Sequence, residues 1–223
     1  MINALNYGIN FCHGDYIVNG DGDSVVDFTL LKKIEKILDQ SPNIVALGGM
    51  VLASIGIENY IIENNNFFEN ILRSYQDLEY HLSFEIVRPL INKMKSTMLI
   101  SGALGLYKKD LIIRLGGYSE NTVGEDMELV MRIRRYIDYV GNNYEIEYSK
   151  EIYCYTELPY RINDLIKQRI RWSVGLTEVL YKYKNIVIDP KYSFNEKLVF
   201  WYYVLFEKFS PHIKFLVLLI YLY

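Results

Sequence analysis

Two carboxylates flank a glycine at Asp21-Gly22-Asp23, directly after the short apolar run 16–18. Oxygen donors at that spacing suit a hard divalent cation, Mg2+ or Mn2+, with phosphate oxygens of a nucleotide completing its shell. The position agrees, because open α/β sheets bind ligands beyond the carboxyl ends of their strands. A calcium loop starting at Asn19 fails as a rival: its glycine position holds Ser24 and its closing glutamate position holds Leu30. The plain alternative is a turn, since Asp-Gly is good turn chemistry.

A second acidic group stands at Thr122-Val123-Gly124-Glu125-Asp126. Thr122 and Glu125 have capping-box spacing, so helix initiation alone can account for them. Asp126 then falls in the first helical turn, where the dipole favours the ionised form and leaves it able to accept a proton. A third group is Gln168, Arg171 and Trp172, at i, i+3 and i+4 of a helical stretch and so on one face. An amide, a guanidinium and an indole suit a phosphorylated or sugar ligand, with Arg on phosphate oxygens and the ring against a pyranose. Arg161, Lys167 and Arg169 add local positive charge. The bland reading is a half-buried Trp beside a solvated Arg.

These residues need a frame. The pattern predicts a helix end within 1–11, a strand at 16–18, a helix over 27–38 and a buried strand over 44–50. A loop follows at 64–66, then a long helix over 67–93 and the small-residue loop Ser101-Gly102-Ala103. Beyond it come a strand over 104–107, a short helix over 108–115 closed by Gly116-Gly117, and a helix over 125–136. Strands at 144–148 and 152–155 precede the longest clean helix, 161–181. This β-α-β order implies an α/β fold with a mostly parallel sheet covered by helices.

The 223 residues suffice for one large domain, and 51% hydrophobic against 23% charged residues argues against disorder. A net charge of −3 excludes a nucleic-acid protein held by a global basic field. Cys12 and Cys154 make no disulfide framework and no zinc-ligand spacing, which fits a reducing compartment. The aromatic fraction of 15%, with 21 Tyr, suggests an amphipathic surface for sugars or a membrane interface. No signal peptide opens the chain. Near its end, 198–206 (LVFWYYVLF) and 215–223 (FLVLLIYLY) are apolar, with Pro211 between them. Neither run reaches the roughly 20 residues of a spanning helix. Trp201, Tyr202 and Tyr203 suit the headgroup level, so 191–223 is expected to be membrane-directed and truncated, after an α/β domain over 1–190. The competing expectation is a buried helical hairpin.

Asp21-Gly22-Asp23, Ser101-Gly102-Ala103, Gly124-Glu125-Asp126, Gln168-x-x-Arg171-Trp172 and an apolar tail stand in that order. The succession resembles the family 2 glycosyltransferases. It is closest to their membrane-integrated branch, which includes cellulose, chitin, hyaluronan and poly-N-acetylglucosamine synthases. The resemblance covers nearly the whole chain, and Gln168-x-x-Arg171-Trp172 is its most specific match. It implies a GT-A fold and an inverting, metal-dependent transfer from a nucleotide sugar, a UDP-sugar, to a carbohydrate or lipid-linked acceptor. By the same likeness Asp126 is the general base, with Glu125 beside it. Asp21 and Asp23 hold the metal and the donor, and Arg171 faces its diphosphate. Ser101, Gly102, Gln168 and Trp172 lie on the acceptor side. A membrane location follows, with the catalytic domain on the cytoplasmic face.

The chain departs from the family in three places. The family's first βα units, on the order of 70 residues, have no counterpart, so a second chain supplying that half is a partner to consider. Met1 stands where the family usually has Lys, and Gly124 where part of it has Thr. A second reading, from another class, is a non-catalytic remnant that binds a partner chain or a glycan.

Overall fold

A computed structural model describes residues 2–53, 67–141 and 143–209. The expected loop at 64–66, Pro211 and the apolar run 215–223 lie outside the described residues.

The chain enters through α1 (Ile2–Ile9) and forms β1 (Tyr16–Asn19) and β2 (Val25–Val26) on either side of the Asp-Gly-Asp turn. Next come α2 (Leu30–Gln40) and β3 (Ile44–Ala53), then a helical arm. The arm was expected as one helix over 67–93. It is α3 (Phe67–His81), a π-helical stretch (Leu82–Val87) and α4 (Arg88–Lys93). β4 (Gly105–Lys108), α5 (Lys109–Arg114) and α6 (Glu125–Val140) precede β5 (Glu145–Thr156) and α7 (Ile162–Lys182). The described part closes with α8 (Phe194–Tyr202) and a second π-helical stretch (Tyr203–Lys208).

The five strands lie in the order β1-β4-β3-β5-β2. Contrary to the expected mostly parallel sheet, only the β3–β5 pair is parallel; β4 runs antiparallel to both β1 and β3, and β2 antiparallel to β5. Apolar periodicity carries no information on strand direction. Direction is fixed by the connection, and the arm after β3 returns the chain to the end of the sheet that β3 had just reached. The two strands expected at 144–148 and 152–155 are one. Gly49 pairs with Ser149 and Met50 with Tyr153, so the polar residues between are absorbed as a bulge rather than a break.

α6 lies at the junction of two cores. Leu129, Val130 and Ile133 pack with Val45, Tyr107, Leu111 and Ile112 on one face of the sheet. Met127 and Met131 pack with Val179, Leu180, Val199 and Phe200 of α7 and α8. Complete burial of side chains such as Leu129 and Ile133 contributes roughly 1.5–3 kcal/mol each. The sheet's other face is filled by Leu30 and Ile34 of α2 with Leu47, Leu104 and Phe84. Among the described residues no helix is long and apolar enough to cross a membrane. Instead α8 begins with a capping box between Ser193 and Glu196 and buries Val199 and Phe200 against the domain, leaving Leu198 and Trp201 exposed.

Candidate active site

The Asp-Gly-Asp turn is tight. Ser24 N donates to Asp21 O at 3.1 Å, and Val25 and Val26 then pair with Tyr155 and Cys154 of β5. Both carboxylates therefore project from the connection between the two edge strands. Beneath them the Cys154 thiol is pushed up to about 12 by burial and by the nearby Asp21. Cys154 and Cys12 are both free.

The Ser101-Gly102-Ala103 loop crosses beside this turn. Asn19 Nδ2 donates to Gly102 O at 3.4 Å. A Cβ built on Gly102 would stand 3.9 Å from Asp21 Oδ1 and 3.9 Å from Asp126 Oδ2. One glycine thus occupies the seat between the Asp21 and Asp126 carboxylates. The Ser101 hydroxyl is used within the loop, accepting from Ala103 N at 3.4 Å.

Asp126 opens α6. Its Oδ1 accepts from Met127 N at 2.7 Å, and the Gly102 backbone N–H also bonds to the carboxylate. Desolvation is the dominant influence and raises its affinity for a proton; Glu125 adds to this, while the backbone donors and Arg88 oppose it. The net displacement is upward. Asp21 is likewise raised, by desolvation first and by Asp23 next, with Arg171 acting against them and Glu125 with them. Asp21, Asp23, Glu125 and Arg171 therefore share one local field, although they come from three separate elements.

The predicted capping box at Thr122 and Glu125 does not form. The helix begins after Gly124 and has no side-chain cap. Thr122 Oγ1 accepts from Gly124 N at 3.0 Å and donates to Glu178 Oε2 on α7 at 2.8 Å. The hydroxyl serves a contact far along the chain, which local spacing cannot foresee. At the same place the two backbones meet: a Cβ on Gly124 would lie 2.9 Å from Gly175 C, and one on Gly175 would lie 2.7 Å from Gly124 N.

α7 carries Gln168, Arg171 and Trp172. The positive charge of Arg171 is near enough to favour the ionised form of Asp21, while the Trp172 ring is covered by the Arg169 guanidinium at 4.8 Å. Arg169 is itself paired with Glu79 of α3 at 2.6 Å. Gln76 of α3, fully buried, donates to Pro159 O at 2.9 Å, so the arm is tied to the segment leading into α7. No sequence signal marked Arg88. It follows the first π-helical stretch, stacks on Phe84 at 4.2 Å, and donates from Nη1 to Leu99 O at 3.1 Å just ahead of the Ser101 loop.

Among the described residues no group of three or more His, Cys, Asp or Glu is arranged to hold a metal ion unaided. Asp21 and Asp23 offer hard oxygen donors, with Arg171 alongside for phosphate. That set fits a hexacoordinate cation bound jointly with a diphosphate, which keeps several non-protein ligands.

The family described as glycosyl transferase family group 2 matches residues 16–223. The chain belongs to that family. Poly-beta-1,6-N-acetyl-D-glucosamine synthase of Staphylococcus epidermidis is 27% identical over 184 residues, which is 81% of this chain and 39% of the relative. The enzyme of the same name from Staphylococcus aureus is 26% identical over 180 residues, with the same coverages of 81% and 39%. This family 2 chain therefore spans about two fifths of the length of those relatives. Among solved structures, a mannosyltransferase of Pyrobaculum calidifontis in complex with GDP-Man and Mn2+ aligns with a TM-score of 0.62 at 18% identity. The alignment covers 94% of this chain and 48% of that one. The likeness establishes a mixed α/β fold of the GT-A type.

Proposed function

We propose that this chain carries the transfer site of a metal-dependent, inverting glycosyltransferase. The observation that supports it best is the seat at Gly102, flanked at equal distance by Asp21 and Asp126. An acceptor hydroxyl beside Asp126 loses its proton to that carboxylate as its oxygen attacks the anomeric carbon of the donor. The bond from that carbon to the diphosphate breaks on the opposite face, so configuration inverts. The raised proton affinity of Asp126 makes it a stronger base than an ordinary aspartate. Arg171 holds the departing diphosphate, and Asp21 and Asp23 are the ligands for Mg2+ or Mn2+. When bound, that cation supplies further stabilisation of the charge on the leaving group. Glu125 helps to hold Asp126 basic, and Ser101, Gly102, Gln168 and Trp172 border the acceptor.

The relatives' named product makes UDP-N-acetylglucosamine the first donor to test, with a growing carbohydrate or a lipid-linked sugar as acceptor. The apolar composition of 198–206 and 215–223 is what favours a site at the cytoplasmic face of a membrane in this reading. The experiment is release of the nucleoside diphosphate by the full-length protein in membranes, UDP from UDP-N-acetylglucosamine or UDP-glucose and GDP from GDP-mannose. Chelation, Asp23→Asn and Asp126→Asn should each abolish release. Full turnover in the Asp126→Asn protein removes the base assignment, and full turnover in excess chelator removes the cation.

A further inference from the structure

We propose that Glu178 is a positioning residue that sets the distance between the base on α6 and the diphosphate-binding cation on α7. The inference rests on the reading of Asp126 as the base. The N-terminus of α6 has no side-chain cap of its own, and its N-cap is a glycine. The backbone that delivers Glu125 and Asp126 is held from outside. Glu178 Oε2 accepts from Thr122 Oγ1 at 2.8 Å and from Val123 N at 3.1 Å, and Thr122 Oγ1 accepts from Gly124 N at 3.0 Å. Thr122 is buried, so these bonds work with little competition from water. A carboxylate is well suited to this end of a helix, where unpaired N–H groups and the dipole favour negative charge.

The partner element is the one that carries Arg171. Arg171, Gly175 and Glu178 stand at i, i+4 and i+7 of α7 and form one stripe. Gly175 meets Gly124 with no room for a side chain on either, which removes slack from the crossing. Glu178 fastens the turn at one side of that crossing, while Arg171, one turn before Gly175 on α7, lies within electrostatic range of Asp21. In a displacement reaction the attacking and leaving atoms must both be aligned, and misplacement by about 1 Å costs up to about 100-fold in rate. A contact that fixes base against phosphate cation therefore acts on turnover more than on donor binding.

The test compares the full-length protein with its Glu178→Ala, Glu178→Gln, Thr122→Val and Asp126→Asn variants, with UDP-N-acetylglucosamine as donor probe and Mn2+ present. Glu178→Ala should lower kcat about 10- to 100-fold, with the donor KM and the melting temperature near wild type. Glu178→Gln, which keeps an acceptor oxygen in place, should recover most of the loss. Thr122→Val should reproduce it, and the Glu178→Ala/Thr122→Val double variant should be no worse than either single one. If Glu178→Ala fails to fold, Thr122→Val, which removes only a hydroxyl, carries the test. Wild-type kcat in Thr122→Val and Glu178→Ala, or a raised KM with kcat intact, overturns the inference if Asp126→Asn is inactive. Activity in Asp126→Asn instead identifies a failure of the underlying base assignment.

Discussion

Asn6 and Tyr118 clasp each other through the Asn6 side-chain amide, which donates to Tyr118 O at 2.9 Å and accepts from Tyr118 N at 2.7 Å. An amide side chain here takes the place of a neighbouring strand's backbone and holds the loop between α5 and α6 against α1. The neighbouring Gly117 has a φ of +75°, and a Cβ there would lie 2.5 Å from Asn6 Oδ1. A glycine is therefore required beside the clasp.

Asn6→Ala should destabilise the fold by about 2 kcal/mol, because both Tyr118 backbone groups lose a partly buried partner. Urea unfolding monitored by circular dichroism checks this. An unchanged midpoint would show that water replaces the amide without cost.

Gly102→Ala separates activity from stability. The added methyl would stand at ordinary van der Waals distance, 3.9 Å, from Asp21 Oδ1 and Asp126 Oδ2. The fold should accept it, with a melting temperature within about 2 °C of wild type, roughly a half to one kcal/mol for a domain of this size. Turnover should fall at least about tenfold, because the methyl occupies the space where reacting groups must meet. Loss of stability in step with activity would contradict this.

The Asp126 carboxyl is displaced upward, so it takes up its proton at a higher pH than an ordinary aspartate. A base works only when deprotonated, so turnover should fall on the acid side at a pH above the usual carboxylate range. Arg88 acts in the opposite direction on Asp126. Arg88→Met should move the acid limb to still higher pH, and Arg88→Lys should leave it nearer its original place. A limb that ignores the charge at position 88 would sink the link between these residues.

Asp138 on α6 is half-buried beside Glu196 of α8, and its carboxyl is raised to about 7 by that burial first and by Glu196 next. Asp138 Oδ2, Glu196 Oε1 and Arg134 Nε are each buried without a hydrogen-bond partner, although Arg134 Nε lies 3.5 Å from Glu196 Oε1. A folded-state value above the unfolded one means that the folded chain binds the extra proton. Stability therefore falls as pH rises from the ordinary carboxylate range to about 7, and the loss is complete above that. Asp138→Asn should gain about 1 kcal/mol at pH 8, after allowance for solvent screening, or about 2–4 °C in melting temperature. The gain should shrink towards pH 4; thermal melts across that range that show no such trend would refute it.

Asp21, Asp23, Asp126 and Arg171 stood out as polar groups at strand ends and on helix faces, but a turn and a helix start accounted for the carboxylates locally, and their roles came from the resemblance to the family. The structure brings Asp21 and Asp126 together at Gly102, with Asp23 and Arg171 within electrostatic range of Asp21. Arg88 was invisible for a definite reason: pattern reading counts 3.6 residues per turn, and the π-helical stretch before it breaks that count. Glu178, and the clasp that Asn6 makes with Tyr118, escaped because the partners lie 56 and 112 positions away. The same limit explains the capping box that did not form and the sheet whose strand directions differ from the expected ones. Element existence depends on local chemistry, whereas direction and pairing depend on chain segments that meet only after collapse.

The crossing of Gly124 and Gly175 also acts as a gauge of the spacing between α6 and α7. Part of the family that this sequence resembles carries Thr where this chain has Gly124, and the gap here is too small for any Cβ. A chain with Thr there must hold its two helices farther apart. The separation of Asp126 on α6 from Arg171 on α7 is then adjustable by a single residue at the crossing of the two helices.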